Sequence, residues 1–471
     1  MNKSNTPLLL TDEQMRTFIT QGFLILNTDF SEQFHTQLEQ TLNDVYEKEG
    51  NPGNNLLPRV REVQMIFDHP VITGALTSVL GPNYMLHAHR HGHYNAASQA
   101  GAWHKDSYWG YKRMRNHHPW WAMIMYFPQD TPVELGPTGV YPGSQNYEQR
   151  LFAQDDNKEE ALASGKAGTF ALIHYDIWHR STPNLLGRPR YMLKFEFMRT
   201  EAPAAPSWDN EDSVWRRPAI CNTPIAEHDT LWEETWNWLT GRLGSIAGTR
   251  QADSSELAEL KDALLAGAEP AVLDAAYELA RTGQQGVEIL LEGLHHQNKP
   301  VSRNAAYGLS VSGEDAVAGL LAALDSPHKH TVVHAAFALG ELRQHAAPAL
   351  PKLAALVEHA ERAVRQTAAE ALALVATPIE PAVEGLIRAL EDDDAQVRFT
   401  AGLALSRLGA AAESAVPQLA AALEDDNRYV RAHAAEALNY IGTDEAKDVL
   451  IAFLFRSRWC PTTTPDNAFY P

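Results

Sequence analysis

Six leucines in the second half of the chain, Leu279, Leu309, Leu339, Leu372, Leu405 and Leu438, close six similar stretches at steps of 30, 30, 33, 33 and 33 residues. The stretches read VLDAAYEL, SRNAAYGL, VHAAFAL, RQTAAEAL, RFTAGLAL and RAHAAEAL. Self-similarity at so steady a period excludes one closed core for this half and requires units stacked along a line. Between the stretches lie second apolar segments at helical spacing, such as DAVAGLLAAL, EPAVEGLIRAL and SAVPQLAAAL. Each unit therefore reads as a helix pair, its paired alanines allowing close approach of the two helices. The acidic connectors EDDDAQVR and EDDNRYVR place Asp394 and Asn427 where an N-cap belongs.

Composition changes sharply where the repeats begin. Ten of the 11 tryptophans and two thirds of the tyrosine and phenylalanine lie before about residue 255, and Ala, Leu and Glu dominate after it. Such a shift marks a domain boundary. The repeated units resemble HEAT repeats of the phycobilisome-lyase type, through their VRxxAAxAL signature. The resemblance spans residues 255–456, about six repeats, and implies an all-α solenoid with a concave docking face. The chain of 471 residues carries a formal net charge of −20. By our count the solenoid holds roughly a dozen excess negative charges, which argues against nucleic acid and favours a basic protein partner. His328, His330, His334 and His345 are expected to be solvated loop residues.

The first half raises a chemical question in AWHKDSYWG. His104 and Asp106 stand two apart, and alternate residues of a strand face the same way. A ferrous site that activates oxygen uses two histidines and one carboxylate on one face of the metal, the remaining positions staying open. The pair alone does not establish such a site, and a third ligand must come from elsewhere. KAGTFALIHYDIWHRSTPNLLGRPRYMLKFEFMR, residues 166–199, offers one. It reads as an apolar strand ending at His179, a polar loop, and a returning antiparallel strand opened by Arg190. A guanidinium there suits a bidentate carboxylate.

These elements together resemble the phytanoyl-CoA dioxygenase family of Fe(II)- and 2-oxoglutarate-dependent oxygenases. The likeness covers about residues 8–200. LLTDEQMRTFITQGFLIL looks like the family's opening helix and first strand, and VELGPTGVYPGSQNY like its Pro-Gly-Ser-His segment, with Gln145 at the usual histidine. His179, Ser181, Asn184 and Arg190 stand at the family's offsets. The resemblance implies a double-stranded β-helix (a cupin-like jelly roll) with flanking helices and its metal at the open end. It makes His104, Asp106 and His179 the iron ligands, and Arg190, helped by Ser181, the holder of the distal carboxylate of 2-oxoglutarate. It implies O₂-dependent conversion of 2-oxoglutarate to succinate and CO₂, coupled to oxidation of an aliphatic C–H of a small-molecule substrate. Asp106 occupies the position that related halogenases leave small, which favours hydroxylation.

Other residues carry competing readings. Arg188 shares strand parity with Arg190; Pro189 and the family offset favour Arg190, leaving Arg188 a solvated loop residue. LHAHRHGHYN alternates His87, His89, His91 and His93 on one strand face, which zinc or copper would suit, but it contains no carboxylate or cysteine. The simpler reading is a polar strand lining the cavity, with His93 or Asn95 touching cosubstrate or substrate. Trp103, Tyr108, Trp109 and Tyr111 either shape the substrate pocket or form core. The basic island YKRMRNHH reads as a solvated loop or an attractor of anionic substrate.

The sequence thus divides into an oxygenase domain at 1–205, a linker with a helix at 206–254 that seats the oxygenase against the first repeats, the solenoid at 255–456, and a tail at 457–471 that caps the last repeat. Only Cys221 and Cys460 are present, far apart, which fits a reducing, cytoplasmic setting and predicts two inert thiols. The opening MNKSNTPLLLTDEQM has too short an apolar run for a signal peptide, and no run approaches a membrane span. The competing functional classes are a repeat scaffold or sensor with an inactive oxygenase domain, and an oxygenase acting on a protein- or carrier-bound substrate.

Overall fold

Thr11 and Gln14 start the first helix, Asp12–Gln21, with a reciprocal capping box, and Gly22 ends it in the left-handed conformation at φ 81°. A side chain at Gly22 would meet Gln145 Oε1 at 2.4 Å. Gln145 Nε2 donates to the carbonyls of Ile19 and Thr20, so it fastens the corner between this helix and the first strand. The computed structural model describes residues 6–106, 114 and 117–456. Expectations placed on Tyr108, Trp109, Tyr111, most of the basic island, Cys460 and the tail from 457 lie outside the described residues.

The described residues form the strands β1 (Phe23–Asn27), β2 (Met85–Asn95), β3 (Trp121–Tyr126), β4 (Thr138–Val140), β5 (Ala161–Leu162), β6 (Thr169–His174), β7 (His179–Ser181) and β8 (Arg190–Met198). They form a five-stranded sheet in the order β1-β6-β3-β8-β2 and a three-stranded sheet in the order β5-β4-β7. All the strand pairings are antiparallel, as a jelly roll requires.

Two expectations about this region need correction. The apolar run before His179 is two strands, not one: β6 stops at His174, residues 175–178 turn, and His179 opens β7 in the other sheet. The turn is closed by Asp176 N on His174 Nδ1 and by Trp178 N on Ser144 Oγ, at 3.2 and 3.0 Å. Nor does β8 return along β7. It pairs with β2 and β3, so His179 and Arg190 come from different sheets.

All nine residues of β8 are buried, although three are charged. Its odd positions face the helices: Phe195 and Phe197 meet Phe67 edge-on at 4.6 and 5.9 Å, and Tyr191 meets Tyr46 at 5.1 Å. Its even positions, Arg190, Met192, Lys194 and Glu196, share the opposite face. This alternation puts apolar residues under the helices and charged ones into the cup.

The chain divides into two compact units, the division falling between Gly241 and Arg242. The helix Asp229–Leu239, assigned above to a joining role, packs its tryptophans within the first unit. Trp236 lies against Trp208 at 5.0 Å, Trp238 stacks on His118 at 4.3 Å, and Glu234 takes a 2.7 Å hydrogen bond from His118.

The second unit is helical throughout. The repeated motifs fall on the helices Glu269–Arg281, Lys299–Ser310, Lys329–Glu341, Arg362–Val375, Ala395–Leu408 and Arg428–Ile441. Asp394 and Asn427 cap as expected, accepting from Gln396 N at 2.8 Å and Tyr429 N at 2.9 Å. An arginine ladder joins successive repeats. Arg365 grips both oxygens of Asp392 at 2.6 and 2.9 Å, and Arg398 grips those of Asp425 at 2.8 and 3.1 Å. Each also donates to carbonyls of the loop before its own helix, Arg365 to His359 and Ala360, Arg398 to Asp392 and Asp393.

His330 and His334 lie on the helix Lys329–Glu341 and not in a loop, and His334 is buried. His334 is 8% exposed, with Nδ1 2.8 Å from Ser302 Oγ, whose hydroxyl donates to Leu294 O at 2.6 Å. Burial pushes its imidazole down to about 3. The folded form therefore refuses a proton that the unfolded chain accepts below about 6.5. Stability should be whole above that pH and fall as pH drops towards 3, by up to about 1.4 kcal/mol per pH unit from this group. Denaturant unfolding of wild type and His334→Leu between pH 7 and 4 should show a shallower acid slope in the variant; equal slopes would exclude this group as the source.

Candidate metal centre

His104 and His179 are brought together by backbone. Each donates its amide to the other's carbonyl at 3.0 Å, an antiparallel bridge that sets their ring centroids 4.4 Å apart. Asp106 lies outside any strand. Lys105, between the two, points away and anchors the segment through Nζ to Tyr147 O at 2.6 Å. The convergence thus rests on one bridge and one lysine anchor, not on a shared strand face.

The imidazoles are oriented by their own backbone. His104 Nδ1 lies 2.9 Å from Ala102 O and His179 Nδ1 3.1 Å from Ile177 O. Each Nδ1–H is thereby engaged with a carbonyl two residues back, and each Nε2 is left with its lone pair. Among the described residues, His104, Asp106 and His179 are the three metal-capable groups whose ligand atoms all lie within 4.8 Å of one another. His179 Nε2 is 3.3 Å from Asp106 Oδ2. Neighbouring ligands on an octahedral ion with bonds of about 2.1 Å stand about 3.0 Å apart, close to the spacing of His179 and Asp106. Burial alone would raise Asp106, but His179 and Lys194 outweigh it and hold the carboxyl well below the usual range. Burial lowers His104. Asp106 is thus held as the carboxylate that metal binding requires.

Arg190 is 2% exposed, and among the described residues its one hydrogen bond runs from Nε to Gly136 O at 2.9 Å. Burial lowers its guanidinium to about 10, so it stays charged at neutral pH. A buried cation without an anion is costly and points to one supplied from outside. Arg188 is exposed in the loop, which separates the two arginines.

Residues 28–192 match the model of the phytanoyl-CoA dioxygenase (PhyH) family. The chain carries a PhyH domain. Residues 287–458 match HEAT repeats in four overlapping stretches, so the PhyH domain is followed by a HEAT array. No curated protein matches the chain. Among solved structures it is similar to the non-heme alpha ketoglutarate dependent carbocyclase SnoK of nogalamycin biosynthesis, with 17% identity over 41% of this chain and 87% of that one and a TM-score of 0.34. It is similar to HygX from Streptomyces hygroscopicus with nickel and 2-oxoglutarate bound, with 13% identity over 41% and 88% and a TM-score of 0.35. It is also similar to EctD from S. alaskensis with 2-oxoglutarate and 5-hydroxyectoine, with 15% identity over 42% and 79% and a TM-score of 0.34.

The remaining candidates in the PhyH domain divide by what their side chains touch. On β2, His91, His93 and Asn95 pair with Lys194, Met192 and Arg190 of β8 and so share the cup face. His93 is within electrostatic reach of Lys194, Asp106 and Arg190 together, and its buried Nε2 has no hydrogen-bond partner among the described residues. Burial drives this imidazole well below its ordinary range. Asn95 is occupied locally, its Oδ1 accepting from Ala97 N at 2.9 Å. Ser181 shares strand parity with His179, and its Oγ packs against Gly101. Asn184 organises its own loop, donating to the carbonyls of Asn95 and Arg188 and accepting from Leu186 and Gly187 N–H. Trp103 is buried against Tyr141 and Phe152, with Arg180 4.4 Å above its ring.

The four histidines of β2 stay together across a register shift between Leu86 and Arg90: His87 and His89 lie 3.2 and 3.9 Å from the oxygens of Glu196, His89 stacks on His91 at 5.8 Å, and His91 meets His93 at 4.7 Å. Sequence reasoning missed Glu196 and its neighbour Lys194, whose Nζ is 2.9 Å from Asp106 Oδ2. The available signal was a Lys-x-Glu pair in phase with Arg190 on a strand of otherwise apolar residues.

Proposed function

We propose that the PhyH domain is a working Fe(II)- and 2-oxoglutarate-dependent oxygenase that hydroxylates an aliphatic C–H of a small molecule, with the HEAT array selecting or docking the substrate. The observation that carries this reading is Arg190: a buried, charged guanidinium with no anionic partner among the described residues, on the strand that also carries Lys194 to Asp106 of the three-ligand cluster. Two imidazoles and one carboxylate suit ferrous iron and leave open positions for a chelating 2-oxo acid and O₂.

His104, Asp106 and His179 would hold the iron. Bound there with 2-oxoglutarate and O₂, it supplies an oxidant strong enough to take hydrogen from an unactivated carbon. The chain's own work is placement. Arg190 would pair with the far carboxylate of 2-oxoglutarate and fix its direction along β8. His93, neutral and unpartnered at Nε2, would donate to or accept from the bound acid. The buried faces of β3 and β8 keep bulk water from the closed end of the cup. By this reading the oxygenase lies within 1–205 and the repeats within 255–456. The acidic repeats would favour a basic partner or a carrier bearing basic patches.

The test is anaerobic reconstitution with Fe(II), followed by 2-oxoglutarate, ascorbate and O₂ against a metabolite set, reading succinate release. Substrate-stimulated succinate that requires iron supports the reading. Iron-dependent ligand binding without turnover would instead support a sensor.

A further inference from the structure

Strand β8 puts one more cation into the cup than the proposed chemistry uses. Lys194 lies four residues beyond Arg190, so both project from one face of the strand, about 13 Å apart at Cα. Its Nζ is 2.9 Å from Asp106 Oδ2 and 3.8 Å from Glu196 Oε1. Glu196 is 0% exposed and lies beside His87 and His89. Packing does not call for such a group. Met192 and Met198, on the same face, are also buried, and burying ions is unfavourable where an apolar side chain would fit.

The charges point to a purpose. Two cations, Arg190 and Lys194, stand in the cup with two carboxylates, Asp106 and Glu196. A divalent cation taken up alone would leave the buried cup two positive charges in excess. It would also share the carboxylate of Asp106 with an ammonium already against it. A dianionic 2-oxo acid arriving with the metal restores neutrality and offers that ammonium a second carboxylate.

Resting on the oxygenase reading above, we propose that Lys194 couples the two binding events. It holds Asp106 while the cup is unloaded and turns to the carboxylate nearest the metal when the dicarboxylate enters. The cup thereby takes metal and 2-oxo acid as a pair in preference to metal alone. Lys194 is a positioning residue in this scheme, and the coupling is reciprocal: whatever factor 2-oxoglutarate adds to metal affinity, metal adds to 2-oxoglutarate affinity.

The test is an anaerobic thermodynamic cycle on the full chain: Mn(II) binding without and with 2-oxoglutarate, for wild type, Lys194→Met, Lys194→Gln and Lys194→Arg, with no turnover needed. Wild type should bind Mn(II) at least tenfold more tightly when 2-oxoglutarate is present. Lys194→Met should bind Mn(II) alone at least tenfold more tightly than wild type and lose most of the gain from 2-oxoglutarate. Lys194→Arg should keep that gain, and Lys194→Gln should lose it, which covers the case in which the methionine variant does not fold. Unchanged coupling in either variant that lacks the ammonium, Lys194→Met or Lys194→Gln, overturns the proposal while leaving the oxygenase reading intact. A wild type that takes up no Mn(II) overturns both.

Discussion

Asp106→Ala should bind ferrous iron at least two orders of magnitude more weakly than wild type and release no succinate above background. Three groups converge here, and Asp106 is the only anion among them, so its loss removes both a donor and the charge that draws a divalent ion into a buried site. Loss of even an outer partner of a metal ligand typically costs about 10–100-fold, which sets a floor for the loss of a ligand itself. The substitution also strips Lys194 of its nearest anion, and breaking a buried pair costs about 3–5 kcal/mol of stability. Asp106→Asn separates the two effects, because it keeps the shape and a hydrogen-bond acceptor for Lys194 while discarding the charge. Metal titration of both variants, with circular dichroism to verify folding, decides the matter. Near-wild-type iron affinity in folded Asp106→Asn would remove Asp106 from the ligand set.

Arg190→Met should behave oppositely in stability and in binding. The guanidinium is buried without an anion, so replacing it with an apolar side chain of similar length should leave the metal-free protein as stable as wild type or more so. The 2-oxoglutarate requirement should rise about a hundredfold, equivalent to roughly 3 kcal/mol for a lost buried charge pair. Turnover at saturating 2-oxoglutarate should fall much less, because the metal-binding end of the acid is untouched. Thermal unfolding without ligand and succinate release across a 2-oxoglutarate series measure the two halves. A variant that is destabilised yet keeps its 2-oxoglutarate dependence would make Arg190 a structural residue.

The solenoid was legible because everything that defines it is local. The repeat period, the alanine pairs and the caps at Asp394 and Asn427 need no partner more than one unit away. In the PhyH domain, the residue types and offsets of His104, Asp106, His179 and Arg190 were legible, whereas the route by which the backbone unites them was not. ALIHYDIW has no glycine or proline to mark the turn at 175–178, so β6 and β7 read as one strand. The exchange of sheets between β7 and β8 depends on pairings with β2 and β4, residues far away in sequence. Lys194 and Glu196 escaped notice because alternating charge on a strand ordinarily marks its solvent side; here the far side is a cup. His334 escaped for a related reason: its burial comes from the neighbouring repeat, where Ser302 meets it.

The arginine ladder carries a consequence for how such an array can grow. Arg365 and Arg398 each find an aspartate 27 residues downstream, and the two arginines stand 33 apart. Duplicating one 33-residue period here gives each copy of Arg365 or Arg398 an equivalent carboxylate, whereas an insertion of another length between an arginine and its aspartate leaves that rung mismatched. Lineages can therefore lengthen this part of the molecule in discrete steps without redesigning a single junction, and the reach of the array becomes a heritable dial separate from the chemistry of the domain before it.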